Sequence, residues 1–126
     1  MTAFLSFDEL NRILRIGFDG IVTDDILLKR YEQAREWVAF HGHCSSISDF
    51  TDVTSFEVTA LAISHLAAGK PLVPDNFLCI VVAPQDEVYG MARMFEVLGS
   101  PTRNKVHVVR TLEDAYRLAG VRKPES

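Results

Sequence analysis

The feature that most constrains this chain is a run of seven apolar residues at 77–83 (Phe-Leu-Cys-Ile-Val-Val-Ala), which Pro84 follows directly. A strand with one solvated face alternates apolar and polar residues, whereas a strand covered on both faces is apolar throughout. The run therefore predicts a central β-strand between two layers of structure. No apolar run in the chain reaches the roughly 18–20 residues that cross a bilayer, so we expect no membrane span.

Strand and helix patterns alternate through the rest of the chain. We predict strands at 12–18, 44–50 and 106–109, and a short strand near 3–7 that forms a hairpin with the first; a helix over 8–16 is the alternative there. The predicted helices are 24–40, a helix from the capping box of Thr54 and Glu57 to Gly69, 85–98, and a last helix between Thr111 and Gly120. Asp19 and Gly20 predict a turn that ends the first long strand.

The order β-β-α-β-α-β-α-β-α implies parallel strands joined by helical crossovers. We therefore predict an α/β fold with a mostly parallel sheet of about five strands, one antiparallel edge strand from the hairpin, and four helices. A chain of 126 residues suits one domain, 1–126, in which we expect 121–126 to be a frayed tail.

Charge and cysteine usage narrow the class of protein. The formal net charge is −4, and a nucleic-acid footprint needs clustered Lys and Arg, so we expect no nucleic-acid partner. The first seven residues lack the basic segment and long apolar stretch of a signal peptide. Cys44 and Cys79 lie in apolar, strand-like runs, and we expect both thiols to be reduced in a cytoplasmic protein.

The sequence motifs predict neither a cofactor nor a catalytic group. The chain has no Gly-x-Gly-x-x-Gly and no Walker motif to hold a phosphate, so we expect no cofactor. Asp19, Gly20 and Thr23 resemble the first motif of haloacid-dehalogenase-type phosphatases, but Gly17 stands at the nucleophile position. His41, His43 and Cys44 lack the spacing of structural zinc sites, so we expect no metal.

Two segments carry a resemblance to a known family. The chain resembles the STAS-like superfamily in residues 88–95 (Val-Tyr-Gly-Met-Ala-Arg-Met-Phe), in the strand that follows, and in residues 111–115 (Thr-Leu-Glu-Asp-Ala). Its founding members are the anti-sigma-factor antagonists with the SpoIIAA-like fold, and the likeness is to a bacterial branch grouped with the CRAL-TRIO lipid-binding fold. In antagonists a kinase phosphorylates a serine early in one helix; Val58 stands at that position and Thr59 matches only the next serine. We therefore expect no phosphorylation of residues 56–59.

Polar residues follow the predicted strands at the sheet edge where open α/β proteins bind ligands. Asp49, Thr51 and Asp52 follow one strand, and Asp86 follows the strand after it. These residues predict a small pocket or a partner-docking rim, although Asp and Thr are also the preferred residues of caps and turns. Arg93, on the next helix, is a further candidate for binding an anionic ligand.

The helix at 85–98 carries more apolar surface than one buried face needs. Its apolar residues and Gly90 cover an arc of about 220°, whereas a helix that lies on a sheet typically needs little more than about 100°. We predict that Gly90, Met94 and Val97 lie in a self-association surface of a homodimer. The alternative is that the helix at 111–119 covers this flank within the chain.

Three functions follow from these observations. The first is a non-enzymatic STAS-like domain that binds a protein partner and also itself. The second is a small carrier of an apolar or lipid-like ligand, which requires a cavity near the loop at 70–75, where Leu72, Val73 and Phe77 cluster. The third is a hydrolase-type enzyme that uses Asp49 and Asp86, which requires both carboxylates to share one cleft.

Overall fold

A computed structural model describes residues 4–74, 76–99 and 106–123, and within them the chain alternates strands and helices as expected. In chain order the elements are β1 (Leu5–Asp8), β2 (Ile13–Thr23), α1 (Asp24–His41), β3 (Ser45–Glu57), α2 (Ala60–Ala68), β4 (Cys79–Val82), α3 (Asp86–Gly99), β5 (Val106–Val109) and α4 (Leu112–Ala119). The helix considered over 8–16 is wrong, because that segment forms the β1–β2 hairpin. Three parts of the predictions lie outside the described residues: residue 3 of the hairpin, Asp75 of the loop at 70–75, and residues 124–126 of the predicted tail.

The five strands form one mixed sheet in the order β1-β2-β3-β4-β5. Strand β1 pairs antiparallel with β2, and the other three pairs are parallel. The predicted α/β class, with one antiparallel edge strand and four helices, is confirmed for the described part of the chain. None of the helices in these residues is both long and apolar enough to cross a membrane.

Local end signals place three of the helices. Thr23 caps α1 by accepting a hydrogen bond from the Ile26 amide at 3.4 Å, and Thr111 caps α4 by accepting one from Asp114 at 3.1 Å. Gly42 ends α1 with φ +97°, a conformation that side chains other than glycine rarely adopt. Gly69 follows α2, as predicted.

Strands β2 and β3 are longer than the sequence indicated. The predicted turn at Asp19 and Gly20 is wrong, because β2 continues through both residues and absorbs them as irregularities in its pairing with β3. The capping box of Thr54 and Glu57 is also wrong, because both residues lie in β3 and the N-cap of α2 is Thr59. The two strands therefore extend as a ribbon beyond β4, which pairs with β3 only as far as Asp49.

Two cores form on the two faces of the sheet. On one face, α1, α2 and α3 cover a large apolar cluster that includes Leu27, Ile63 and Val88. On the other face, Ala115 and Tyr116 of α4 pack against a smaller cluster. That smaller cluster comprises Ile13, Ile47, Ile80 and Val82.

The apolar run at 77–83 is the central strand, as predicted, but β4 itself is shorter than the run. Ile80 and Val82 face α4, whereas Val81 belongs to the cluster under the other three helices. All three side chains are buried, and Leu78 and Cys79 are half-buried. Burial from both sides explains why this strand carries no polar residue.

Candidate functional site

The predicted rim at the ends of the strands opens into a groove, which we call the strand-end groove. It has a volume of about 430 Å³. Asp49 and Asp52 line it, together with Arg15, Gly17, Asp19, Arg30, Phe4, Ser6 and Phe18. Thr51 is exposed beside the groove, and its amide donates to Asp49 Oδ1 at 3.0 Å. The structure therefore brings three of the predicted rim residues together.

The two arginines of the strand-end groove already have partners within the chain. Arg30 donates to the carbonyl oxygen of Gly17 at 2.8 Å and lies 3.5 Å from the carboxylate of Asp19. Its guanidinium also lies over the ring of Phe4, 4.8 Å from the centroid. This contact caps the free edge of β2 where its pairing with β1 ends.

The second arginine, Arg15, interacts with the one buried phenol of α4. Tyr116 is 3% exposed and forms a hydrogen bond with Arg15. Burial raises the pKa of the Tyr116 hydroxyl above its ordinary value, and the nearby Arg15 charge opposes that rise. The arginine, the phenol and the carboxylate of Asp49 therefore form one electrostatic group on this face of the sheet.

Asp86 lies apart from this groove. Its carboxylate is exposed at the start of α3 and accepts a hydrogen bond from Arg110 Nη1 at 2.9 Å. Arg110 also stacks on the ring of Tyr89, 3.9 Å from the centroid. The strand-end groove is not lined by Asp86, so Asp49 and Asp86 are held by different partners at neighbouring strand ends.

The side chain of Gln85 joins these two strand ends. Its amide nitrogen donates to the carbonyl oxygens of Phe50 at 3.0 Å and Val53 at 2.9 Å. Both carbonyls belong to the part of β3 that extends beyond β4. Gln85 therefore anchors the extended ribbon to the beginning of α3, which the sequence pattern did not reveal.

The predicted self-association residues lie along the outer side of α3. Gly90 is exposed, and no described atom lies within 4 Å of the position that a side-chain Cβ would take there. Met94 is half-buried and packs against the large core, whereas Val97 is 67% exposed. Arg93 is exposed and pairs with Glu96 at 3.2 Å.

Helix α2 is the neighbour of α3 within the chain. The two helices pack side by side on the same face of the sheet, and Met91, Met94 and Phe95 reach the core between them. The predicted alternative, in which the helix at 111–119 covers this flank, is wrong because α4 contacts β3, β4 and β5 from the opposite face. Much of the wide apolar arc is therefore used inside the chain, and Val97 and Leu98 remain exposed at its end.

A small cavity lies beneath the loop at 70–73, where an apolar cavity was expected. Its volume is about 30 Å³. Leu72 and Val73 line it with Leu66, Val81, Phe95 and Val106, and polar groups come from Tyr31, Arg35, Ser46, Ser48, Lys70 and Cys79. A water molecule needs about 10–15 Å³ of such space, so the cavity admits very small groups without rearrangement.

The sequence did not predict that the hydroxyl groups of Tyr31, Ser46 and Ser48 would line one cavity. Ser46 and Ser48 are buried, and Tyr31 donates to Ser48 Oγ at 2.6 Å. Ser46 lies close to Cys79, with 3.7 Å between Oγ and Sγ. The available signal was the i, i+2 spacing of the two serines in a strand, which puts both on one face.

Two sequence motifs remain: the group of His41, His43 and Cys44, and the segment at 56–59. Arg12 donates to the carbonyl oxygens of His41 at 3.3 Å and His43 at 2.8 Å, which closes the end of α1. Across the described residues, no three metal-ligating side chains cluster. Val58, where the resemblance would put the acceptor serine, is buried. Thr59 donates through both its amide and its hydroxyl to Asp24, at 2.7 Å each.

Comparisons with known proteins identified no relative of this chain. The chain matches no protein-family model, no curated protein and no solved structure. Its function is therefore inferred from the residues and geometry described above.

Proposed function

We propose that this chain is a non-enzymatic, STAS-like domain that acts by binding a protein partner, in the first place a second copy of itself. The contact surface is the outer side of α3. The hairpin followed by alternating helices and strands is the arrangement that the resemblance implies, and it supports the STAS-like part of the proposal.

One observation carries the proposed contact: the open space outside Gly90, on the same side of α3 as Val97. Gly90, Met94 and Val97 are spaced i, i+4 and i+7 and so share one side of the helix. Gly90 has no side chain, and beyond its own helix backbone no described atom lies within 4 Å of the Cβ position, so a second helix can approach the backbone closely. The exposed Val97 then lies where a partner would bury it.

A twofold contact suits this surface because each subunit supplies the same patch. Full burial of a Val, Leu or Met side chain is worth about 1.5–3 kcal/mol, and a twofold axis counts each gain twice. Those gains oppose the loss of translational and rotational freedom on association, about 4–15 kcal/mol. Burial of Val97 and Leu98 in both subunits would supply about 6–12 kcal/mol, which is comparable with that loss, so we expect a weak dimer that forms at high micromolar concentration and dissociates on dilution.

Sedimentation equilibrium of the wild-type chain, Val97→Glu and Leu118→Glu tests the proposal. Val97 is a better target than Met94, because half-buried Met94 also stabilises the monomer. Leu118 is a matched control, because it is 43% exposed on α4, across the sheet. We expect a wild-type dimer at high micromolar concentration, a monomeric Val97→Glu and a dimeric Leu118→Glu. A folded wild-type monomer, or a Val97→Glu variant that stays dimeric, contradicts the proposal.

A second candidate function is transport of a small apolar or lipid-like ligand, which would require the small cavities under the three helices to widen when the ligand enters. The cavity beneath the loop at 70–73 adjoins another of about 30 Å³, and both are lined by Tyr31, Leu66, Val81 and Phe95. Native mass spectrometry after exposure to a cell lipid extract tests this candidate. A bound lipid supports transport, whereas an unliganded spectrum contradicts it.

The third alternative, an enzyme that uses Asp49 and Asp86, has less support from the geometry. It needs two carboxylates in one cleft, and these two carboxylates bind Thr51 and Arg110 at separate strand ends. The proposed binding domain requires neither a catalytic residue nor a cofactor, and we place it in the cytoplasm.

A further inference from the structure

An amphipathic depression lies at the opposite end of the sheet from the predicted rim. We call it the basic groove; its volume is about 580 Å³. Its basic side chains are Arg35, His43 and Lys70, and its apolar wall consists of Val38, Ala39, Pro71, Leu72, Val73 and Pro74. The volume is typical of small-molecule sites, which range over about 300–1,000 Å³.

The basic groove brings positive charges together in a chain whose net charge is −4. Arg35 on α1 and Lys70 after α2 are adjacent, since Arg35 Nε donates to the Lys70 carbonyl oxygen at 3.4 Å. No carboxylate lines the groove within the described residues. Over the same residues, neither Arg35 nor Lys70 forms an ion pair.

Two cations that line one groove without a carboxylate repel each other, and an anion bound there would offset that repulsion. Among the described residues, the other side chains that line the groove are apolar or basic, so none of them supplies an anion. A third depression next to Arg35 and Lys70 contains Glu32, but this carboxylate forms no ion pair with either cation. The positive charge is therefore available to a ligand.

The interior cavity beneath the same loop supplies a second, independent feature. Arg35 and Lys70 line both the groove and the cavity, so the two spaces meet at these side chains. Inside the cavity, the hydroxyl of the buried Ser48 forms a hydrogen bond with the Tyr31 hydroxyl, with 2.6 Å between the oxygens. A hydroxyl can donate one hydrogen bond and accept two, so an anionic oxygen that reached this cavity would meet hydroxyl donors there.

We propose that the basic groove binds a small organic anion, a carboxylate or a phosphate ester that carries a short apolar chain. The anionic group lies between Arg35 and Lys70, with one oxygen toward Ser48. The apolar chain lies along the wall formed by Val38 and residues 71–74. Charge complementarity selects the headgroup, and the apolar wall selects the chain.

Isothermal titration calorimetry with octanoate, octyl phosphate and octanol tests this site in the wild-type chain. We expect at least one of the two anions to bind, and octanol to bind about tenfold more weakly, a difference of ~1.4 kcal/mol. The tighter of the two anions identifies a carboxylate or a phosphate ester as the preferred headgroup. Absence of binding by both anions, or equal affinity for octanol, overturns the proposal.

Three variants assign the binding to the named residues. Lys70→Gln and Arg35→Gln should each weaken binding of the anion about tenfold, because each removes one charge-assisted contact. Lys29→Gln is the matched control, since Lys29 is an exposed cation on α1 that pairs with Asp25 at 3.4 Å; its affinity should equal that of the wild type. Thermal unfolding verifies that each variant is folded. Because Lys70 is exposed, we expect Lys70→Gln to fold like the wild type. Wild-type affinity in Lys70→Gln contradicts the assignment.

Discussion

The strand-end groove and the basic groove have similar volumes, about 430 and about 580 Å³, but they differ in how their charges are balanced. In the strand-end groove, Arg30 binds Asp19 and the Gly17 carbonyl, and Arg15 binds Tyr116. In the basic groove, Arg35 and Lys70 form no ion pair with any described residue. The first set of charges therefore has partners within the chain, and the second set is the one that we propose to bind a ligand.

The difference teaches that a collection of charged residues at a strand end does not by itself indicate a ligand site. Asp49, Thr51 and Asp52 attract attention in the sequence because carboxyl ends of strands often bind ligands. Their partners in the structure are neighbours in the same chain, such as the Thr51 amide on Asp49. A groove whose cations face no carboxylate is the more informative observation, because among the described lining residues no carboxylate competes with a bound anion.

The largest expected effect tests whether the strand-end charges stabilise the fold. Arg30→Gln should lower the free energy of unfolding by about 2–3 kcal/mol, because the Gly17 carbonyl and Asp19 lose a half-buried, charged donor. Urea denaturation at pH 7 measures this change. The control is Lys29→Gln, whose exposed pair with Asp25 should contribute no more than about 0.5 kcal/mol. Equal effects of the two variants would mean that Arg30 is no more structural than a surface lysine.

The next effect concerns Tyr116 and depends on pH. At pH 7, Tyr116→Phe should cost about 1 kcal/mol, because the hydrogen bond with Arg15 is lost. Burial raises the Tyr116 pKa in the folded state above its ordinary 10.0, so the folded chain keeps this proton to higher pH than the unfolded chain. The associated stability is present below about pH 10 and is lost as pH rises through the folded pKa.

Urea denaturation between neutral and alkaline pH measures this dependence. The wild type should lose stability above about pH 10 more steeply than Tyr116→Phe. Tyr89→Phe is the control, since Tyr89 is half-buried on α3 and its ring contacts Arg110. Parallel pH profiles for wild type and Tyr116→Phe would show that the buried phenol does not contribute to the alkaline decline.

The smallest expected effect on stability concerns Lys70 of the basic groove. Lys70→Gln should change stability by no more than about 0.5 kcal/mol, and toward greater stability, because it removes a cation beside Arg35. Added sodium chloride should stabilise the wild type slightly more than this variant, since salt screens the repulsion. A loss of more than about 1 kcal/mol in Lys70→Gln would place Lys70 among the structural charges instead.

Local sequence signals predicted most of the helix ends. Thr23, Gly42, Thr111 and Gly120 act within a few residues of their own position, so a short window contains the information. The capping box of Thr54 and Glu57 shows the limit of such signals. Pairing of β3 with β2 holds Ser55 opposite Ile21 and Phe56 opposite Val22, and this long-range contact outweighs the local pattern.

Identification of the candidate sites depended on contacts between residues that are far apart in the sequence. The strand-end residues were identifiable because they follow strands. Arg35 and Lys70 are 35 residues apart, and neither position stands out in the sequence. The hydroxyl pair of Tyr31 and Ser48 likewise joins a helix to a strand. Residues of this kind become neighbours only when the layers pack.

By itself, the sequence determined the α/β order, a strand within the apolar run at 77–83 that is covered on both faces, and the caps of α1 and α4. These properties arise from apolar periodicity and from hydrogen bonds between near neighbours, both of which can be deduced from residue types. The tertiary structure alone decided how far β2 and β3 extend, which helix covers α3, and which charges lack partners. Those outcomes depend on the free energy of contacts between distant residues, and that free energy is defined only once the chain has folded.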